Sequence, residues 1–108
     1  MDNLFERLRP DPEKEISEVF LKLPGIEFER ITSLGQASPE GFFYNQDFDE
    51  WVCVLKGSAE LEIEGRIKVM KEGDWTFLPR GCPHRVTKTD PKAPTLWLAV
   101  NIGKKGAP

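Results

Sequence analysis

Histidine is almost missing from this chain: among 108 residues there is one, His84, so no site here can draw on more than one imidazole. Cysteine is nearly as scarce. Cys53 and Cys82 are too few and too far apart for a disulfide framework or a zinc ribbon, and reduced thiols are expected. No apolar run approaches the ~20 residues that span a bilayer, so no membrane partner is expected. The first residues, Met1-Asp2-Asn3-Leu4-Phe5-Glu6, lack the basic start and apolar stretch of a signal peptide, which gives a cytoplasmic expectation. Clustered positive charge is absent too. The formal net charge is −3 and the Lys and Arg residues are scattered, which argues against a nucleic-acid partner, because that surface needs a cationic footprint to release counterions. None of the turn glycines sits in a Gly-rich phosphate-binding loop.

What remains is an ordinary globular composition, 39% apolar and 31% charged, at a length that suits one hydrophobic core. The reading divides it into an arm with a short helix (1–25), a barrel (26–102) and a frayed tail (103–108). In the first part Asp11 reads as an N-cap and Pro12 as the first helical residue. Ile16, Val19, Phe20 and Leu23 follow at i, i+3, i+4 and i+7, and Pro24-Gly25 stops the pattern. This spacing predicts a short N-terminal helix packed on the rest.

From Ile26 the period becomes two. Ile26, Phe28 and Thr32 alternate with Glu27, Glu29 and Ile31; Trp51 to Leu55 is a buried run; Ala59 to Glu64 alternates with three glutamates toward water. Ile67 to Lys71, Trp75 to Leu78, His84 to Lys88 and Thr95 to Ile102 complete the set, with Gly65-Arg66, Glu72-Gly73-Asp74, Pro79 to Pro83 and Asp90 to Pro94 as turns. Short strands punctuated every ~8–12 residues make the chain all-β, an antiparallel barrel or sandwich. Period and turns alone leave an immunoglobulin-type sandwich, a lipocalin-like barrel and a jelly roll all open.

The punctuation around His84 chooses among them. Gly73, five residues, Pro79, one residue, Gly81, two residues, His84 resembles the second conserved motif of the cupin superfamily. Upstream, Glu50 stands seven residues before Gly57, where the first motif places its glutamate, and 15 residues separate Gly57 from Gly73. The resemblance to a small single-domain bacterial cupin spans roughly residues 26–102. It implies a double-stranded β-helix (jelly-roll barrel), usually a homodimer, with a site in the barrel mouth. There a His-x-His pair, the motif-one glutamate and the motif-two histidine converge on a divalent metal ion such as zinc, nickel, manganese, iron or copper.

The first motif is degenerate in this chain. The positions of the His-x-His pair hold Tyr44 and Gln46 in one register and Phe43 and Asn45 in the other, and the motif's closing asparagine is Lys88. What the resemblance carries over is therefore His84, Glu50 and Gln46 as metal ligands, with Tyr44 as a weaker donor or pocket wall. Lys88 and Arg85 are expected to bind an organic acid. Each has a plain alternative: a carboxylate facing an imidazole is satisfied without a metal, and Gln46 or Tyr44 can simply line a pocket. Cys82 shares strand parity with His84, although a cysteine beside a proline turn is usually filler; Cys53 belongs to the core. Three functions stay open: a metal-dependent enzyme (oxygenase, isomerase or lyase type) acting on a small polar molecule, a metal-free small-ligand binding or sensing module, and a structural dimer with a vestigial mouth. No catalytic residue is assigned.

Overall fold

The computed structural model describes residues 2–104, all-β and without a helix. The strands are β1 Ile16–Leu23, β2 Ile26–Ser33, β3 Asp49–Lys56, β4 Ser58–Ile63, β5 Arg66–Lys71, β6 Trp75–Leu78, β7 His84–Thr89 and β8 Thr95–Ile102. They form two antiparallel sheets, β1-β2-β8-β3-β6 and β5-β4-β7, facing each other across the core. Val52, Val54, Ala59, Leu61, Met70, Leu78, Trp97 and Ala99 fill the space between them. These are alternate residues of their strands, because a strand sends successive side chains to opposite faces. Of the expected C-terminal tail, residues 105–108 lie outside the described residues.

The N-terminal helix is a correction: Ile16 to Leu23 is strand β1. Val19 pairs with Glu29 and Leu21 with Phe28, so Phe20 is an extra, bulged residue. A one-residue bulge shifts the side-chain parity by one and turns a spacing of two into a spacing of three. The helical spacing does not mark one face of the strand: Ile16 pairs with Thr32 on the outer side, Val19 with Glu29 on the cavity side, and Phe20 is the bulged residue between Val19 and Leu21. The β-branched and aromatic side chains of this stretch suit a pleated strand better than a helix. Pro24-Gly25 does not end a helix but joins β1 to β2: proline followed by a glycine of φ 74° is what a type II turn demands.

Strand β2 alternates as expected, with its faces the other way round. Glu29 and Ile31 line an interior cavity, while the register puts Ile26 and Phe28 on the outer face. On that outer face Arg30, 1% exposed, is bonded through Nε and Nη2 to Glu18. It also donates to the backbone carbonyls of Leu4, Glu6 and Arg7, fastening the N-terminal arm to the sheet. Beyond the arm the same face stays apolar and open at Leu21, Leu23, Trp75, Phe77 and Ile102.

Candidate functional site

The inward faces of β2, β3, β7 and β8 enclose a cavity of about 210 Å³. Ile31, Val52, Leu61, Leu78, Val86 and Trp97 make its apolar wall, and Glu15, Ser17, Glu29, Gln46, Glu50, His84, Asn101 and Lys104 supply its polar groups. Drug-sized ligands occupy roughly 300–1,000 Å³, so a guest here is small and a dinucleotide is excluded.

His84 opens β7 and is 6% exposed. Its Nδ1 lies 3.0 Å from the carbonyl oxygen of Cys82. A carbonyl only accepts, so Nδ1 carries the proton and, in the neutral ring, Nε2 is left as an acceptor. Nε2 lies 3.7 Å from Glu50 Oε1, beyond hydrogen-bond reach. Tyr44 stacks on the imidazole, ring centroids 5.4 Å apart, and its backbone exchanges two hydrogen bonds with His84, at 2.7 and 3.1 Å.

The loop before β3 is stitched to the Pro79–Pro83 turn at further points. Gly81 N–H donates to Gln46 O at 2.9 Å and Arg80 N–H to Asp49 Oδ1 at 2.8 Å. These bonds hold the degenerate first motif against the second, which explains why the cavity persists without an imidazole pair.

Glu50 lies on β3 between Asn101 of β8 and Leu78 of β6, with its side chain 13% exposed. Burial pushes its carboxyl up to about 7; Glu29 and Glu15 push the same way and Lys104 opposes them. Glu29 accepts from Asn101 Nδ2 at 2.9 Å and from the Ser17 hydroxyl. Glu15 accepts from Ser33 Oγ at 3.0 Å, and its carboxyl is also raised, chiefly by desolvation. Desolvation likewise raises the Tyr44 phenol, with Glu15 and Glu50 adding to the effect.

Of the expected site residues, His84, Glu50, Gln46 and Tyr44 meet at this cavity, and Arg85 and Lys88 do not line it. The Arg85 guanidinium donates to the carbonyls of Ser38 and Pro39, lies 3.7 Å from Glu62 and covers the Phe43 ring. Lys88 is exposed beside a separate surface depression shared with Glu60 and Lys92. Asp47 forms a surface ion pair with Arg80. Cys82 is buried, with Sγ 3.5 Å from Glu64 Oε1. Sequence reading missed Glu15 and Glu29. Glu29 stood in plain alternation with apolar neighbours, and only the direction of the β2 faces reveals it.

The donors can be tested against the metal that the family's motif implies. His84 Nε2 and Glu50 Oε1 are close enough to share an ion, and Gln46 adds only an amide. Among the described residues no three His, Cys, Asp or Glu side chains form a metal-holding group. Two strong donors and an amide do not fit a tightly held resident transition metal, for which three or four are usual.

Fold and cavity together define a small β-barrel protein with a cavity between its two sheets. The chain belongs to the cupins: residues 35–101 match the Cupin domain family. A solved structure from Ralstonia eutropha JMP134, provisionally named a mannose-6-phosphate isomerase, is 45% identical, with 96% of this chain and 98% of that one covered at a TM-score of 0.91. An RmlC-like cupin from Desulfovibrio desulfuricans shares the fold at 22% identity and a TM-score of 0.73, covering 95% of this chain and 94% of that one. An uncharacterized protein of Aquifex aeolicus is 49% identical over 41 residues, 38% of this chain, and the match spans only about a third (34%) of that relative's length. Among the described residues no helix is long and apolar enough to cross a membrane.

Proposed function

We propose that this cupin binds a small polar molecule in the cavity and moves a proton on it, with Glu50 as the group that takes and returns the proton. The supporting observation is a buried carboxyl pushed up to about 7, facing the His84 imidazole in the wall of the cavity. A group of that pKa holds both protonation states at neutral pH, which general acid–base work requires. Proton removal from a carbon beside a carbonyl leaves its electron pair on the carbonyl oxygen. Return of the proton to the former carbonyl carbon, with the hydroxyl proton of the adjacent carbon passing to the former carbonyl oxygen, then isomerises the molecule with no oxidant consumed. His84 Nε2 accepts from a guest hydroxyl or amine and fixes its orientation. The provisional isomerase name of the Ralstonia relative agrees with this reaction class.

The test is solvent deuterium uptake into a panel of aldoses, ketoses and amino sugars. Wild type incorporates deuterium beside the carbonyl, and Glu50→Gln loses on the order of 10²–10⁴ in rate while retaining binding. Binding without any uptake in wild type would make the chain a sensing module instead. The competing reading is a divalent ion (zinc, nickel, manganese or iron) across His84 and Glu50, with Gln46 as third donor, which would polarise a guest oxygen; it draws on the same 3.7 Å gap. Near-stoichiometric metal in untagged protein, lost in both His84→Ala and Glu50→Ala, would carry that reading and defeat ours.

The open apolar face at Leu21, Leu23, Trp75, Phe77 and Ile102 supports a homodimer, since contiguous apolar surface of this kind is rarely left to water. A two-fold pairing would place the face against its own copy.

A further inference from the structure

We infer that the guest of this cavity is a small organic cation bearing a protonated amine, and that phosphate and carboxylate guests are rejected. The inference rests on the small-molecule reading above and adds the charge of the guest.

Three carboxylates converge on the cavity from three segments: Glu15 ahead of β1, Glu29 on β2 and Glu50 on β3. Their partners are neutral: the Ser33 hydroxyl for Glu15, Asn101 and the Ser17 hydroxyl for Glu29. The cation at the rim, Lys104, is drawn aside to Glu27 at 3.3 Å and lies over the Phe48 ring. Glu27 also pairs with Lys22 at 3.5 Å, so Lys104 keeps part of its charge and offsets at most one of the three cavity carboxylates. Arg85 is engaged elsewhere, with Glu62 and two backbone carbonyls. An anion entering here meets uncompensated charge of its own sign inside a partly desolvated space, where repulsion is far stronger than in water.

The second observation concerns hydrogen atoms. His84 is 6% exposed, and because its Nδ1 proton is committed to Cys82 O, Nε2 enters the cavity as a bare acceptor. It faces Glu50 Oε1, an acceptor in the ionised carboxylate, at 3.7 Å. A hydroxyl carries one hydrogen and satisfies one of the two. A phosphate dianion carries none. An ammonium carries three donors and a compensating charge, so it can bond both atoms at once. The Tyr44 ring, stacked on His84, adds an aromatic wall of the kind that favours cations.

The experiment uses the full chain after chelator treatment, at about pH 7, where the amine of glucosamine is mostly protonated, with glucosamine, glucose and mannose-6-phosphate followed by calorimetry and by the ring signals of His84. Glucosamine is expected to bind at least about tenfold more tightly than glucose, with an affinity that falls as salt rises, and mannose-6-phosphate is expected not to bind. Glu29→Gln keeps an acceptor for Asn101 and should weaken glucosamine about threefold to tenfold, reducing its preference over glucose by a similar factor; an unaltered preference overturns the inference. Equal binding of glucose and glucosamine, or any preference for the phosphate, overturns the inference and leaves the small-molecule reading standing. Silence from every sugar sinks both. A parallel arm with manganese alone separates the two cation sources: tight uptake that shifts the His84 signals, without amine binding, assigns the gap to a metal and overturns the inference.

Discussion

Replacing Glu50 with glutamine removes a charge that the cavity resists. In the unfolded chain this carboxyl titrates near 4.5, and in the folded protein burial and the neighbouring Glu29 and Glu15 raise it to about 7. The folded state therefore binds more protons than the unfolded state between those values, and stability falls as pH rises through that window. Below about 4.5 both states are protonated and nothing is lost; above about 7 the full penalty is present. At 1.36 kcal/mol per unit the shift amounts to about 3 kcal/mol, and with the side chain 13% exposed little of that is screened away. Glu50→Gln keeps the shape without the charge. It should match wild type at about pH 4.5 and exceed it by roughly 2–3 kcal/mol at about pH 8, a rise in Tm of roughly 10 °C or more. Denaturant midpoints of the two proteins across this range give the difference directly, and other titrating groups cancel in it. A variant equally offset at all pH values, or less stable at pH 8, would refute the burial argument.

The remaining predictions concern the frame. Gly57→Ala should cost more than about 2 kcal/mol, because φ is 85° and the new Cβ would lie 2.7 Å from Pro94 O and 3.0 Å from Thr95 Cα. Gly73→Ala, at the same φ of 85° with nothing within 4 Å, should cost only about 1 kcal/mol, so equal thermal shifts in the two variants would contradict the close-approach argument. Arg30→Ala leaves Glu18 and the arm carbonyls without their buried partner; we expect about 3 kcal/mol of destabilisation and rapid tryptic cleavage after Arg7, and an arm as resistant as in wild type would show that Arg30 does not hold it. Light scattering should give a homodimer that Trp75→Glu combined with Phe77→Glu turns into a monomer, and a monomeric wild type would remove the case for a second copy on that face.

The strands from Ile26 onward were legible because turn residues bound either an alternating segment or a short apolar run such as Trp51 to Leu55, and the glycine, proline and histidine spacing selected one barrel among several. β1 was not legible. The bulge at Phe20 broke its period, and apolar residues on both faces of the strand (Ile16 outward, Val19 toward the cavity) fell by chance at helical spacing. The site was legible where a motif fixed it, at Glu50 and His84, and with them Gln46 and Tyr44 line the cavity. The charge of the site was misjudged in sequence terms. Arg85 and Lys88 stand beside His84 in the chain, yet one is folded onto backbone carbonyls and the other faces a surface depression. Glu15 and Glu29 are distant in sequence and came to the cavity through strand pairing, which no local pattern announces. Strand parity reports that two faces exist, and only tertiary packing decides which one is inward.

A single histidine makes the central claim directly measurable, since every imidazole signal in the protein belongs to His84. Long-range proton–nitrogen correlation of that ring, before and after addition of glucosamine, reads both its tautomer and its contact with a guest. The account predicts a proton on Nδ1 and a bare Nε2 in the free protein, with the Nε2 resonance moving when the amine binds. A ring protonated on Nε2, or one that ignores every small polar guest, would contradict it.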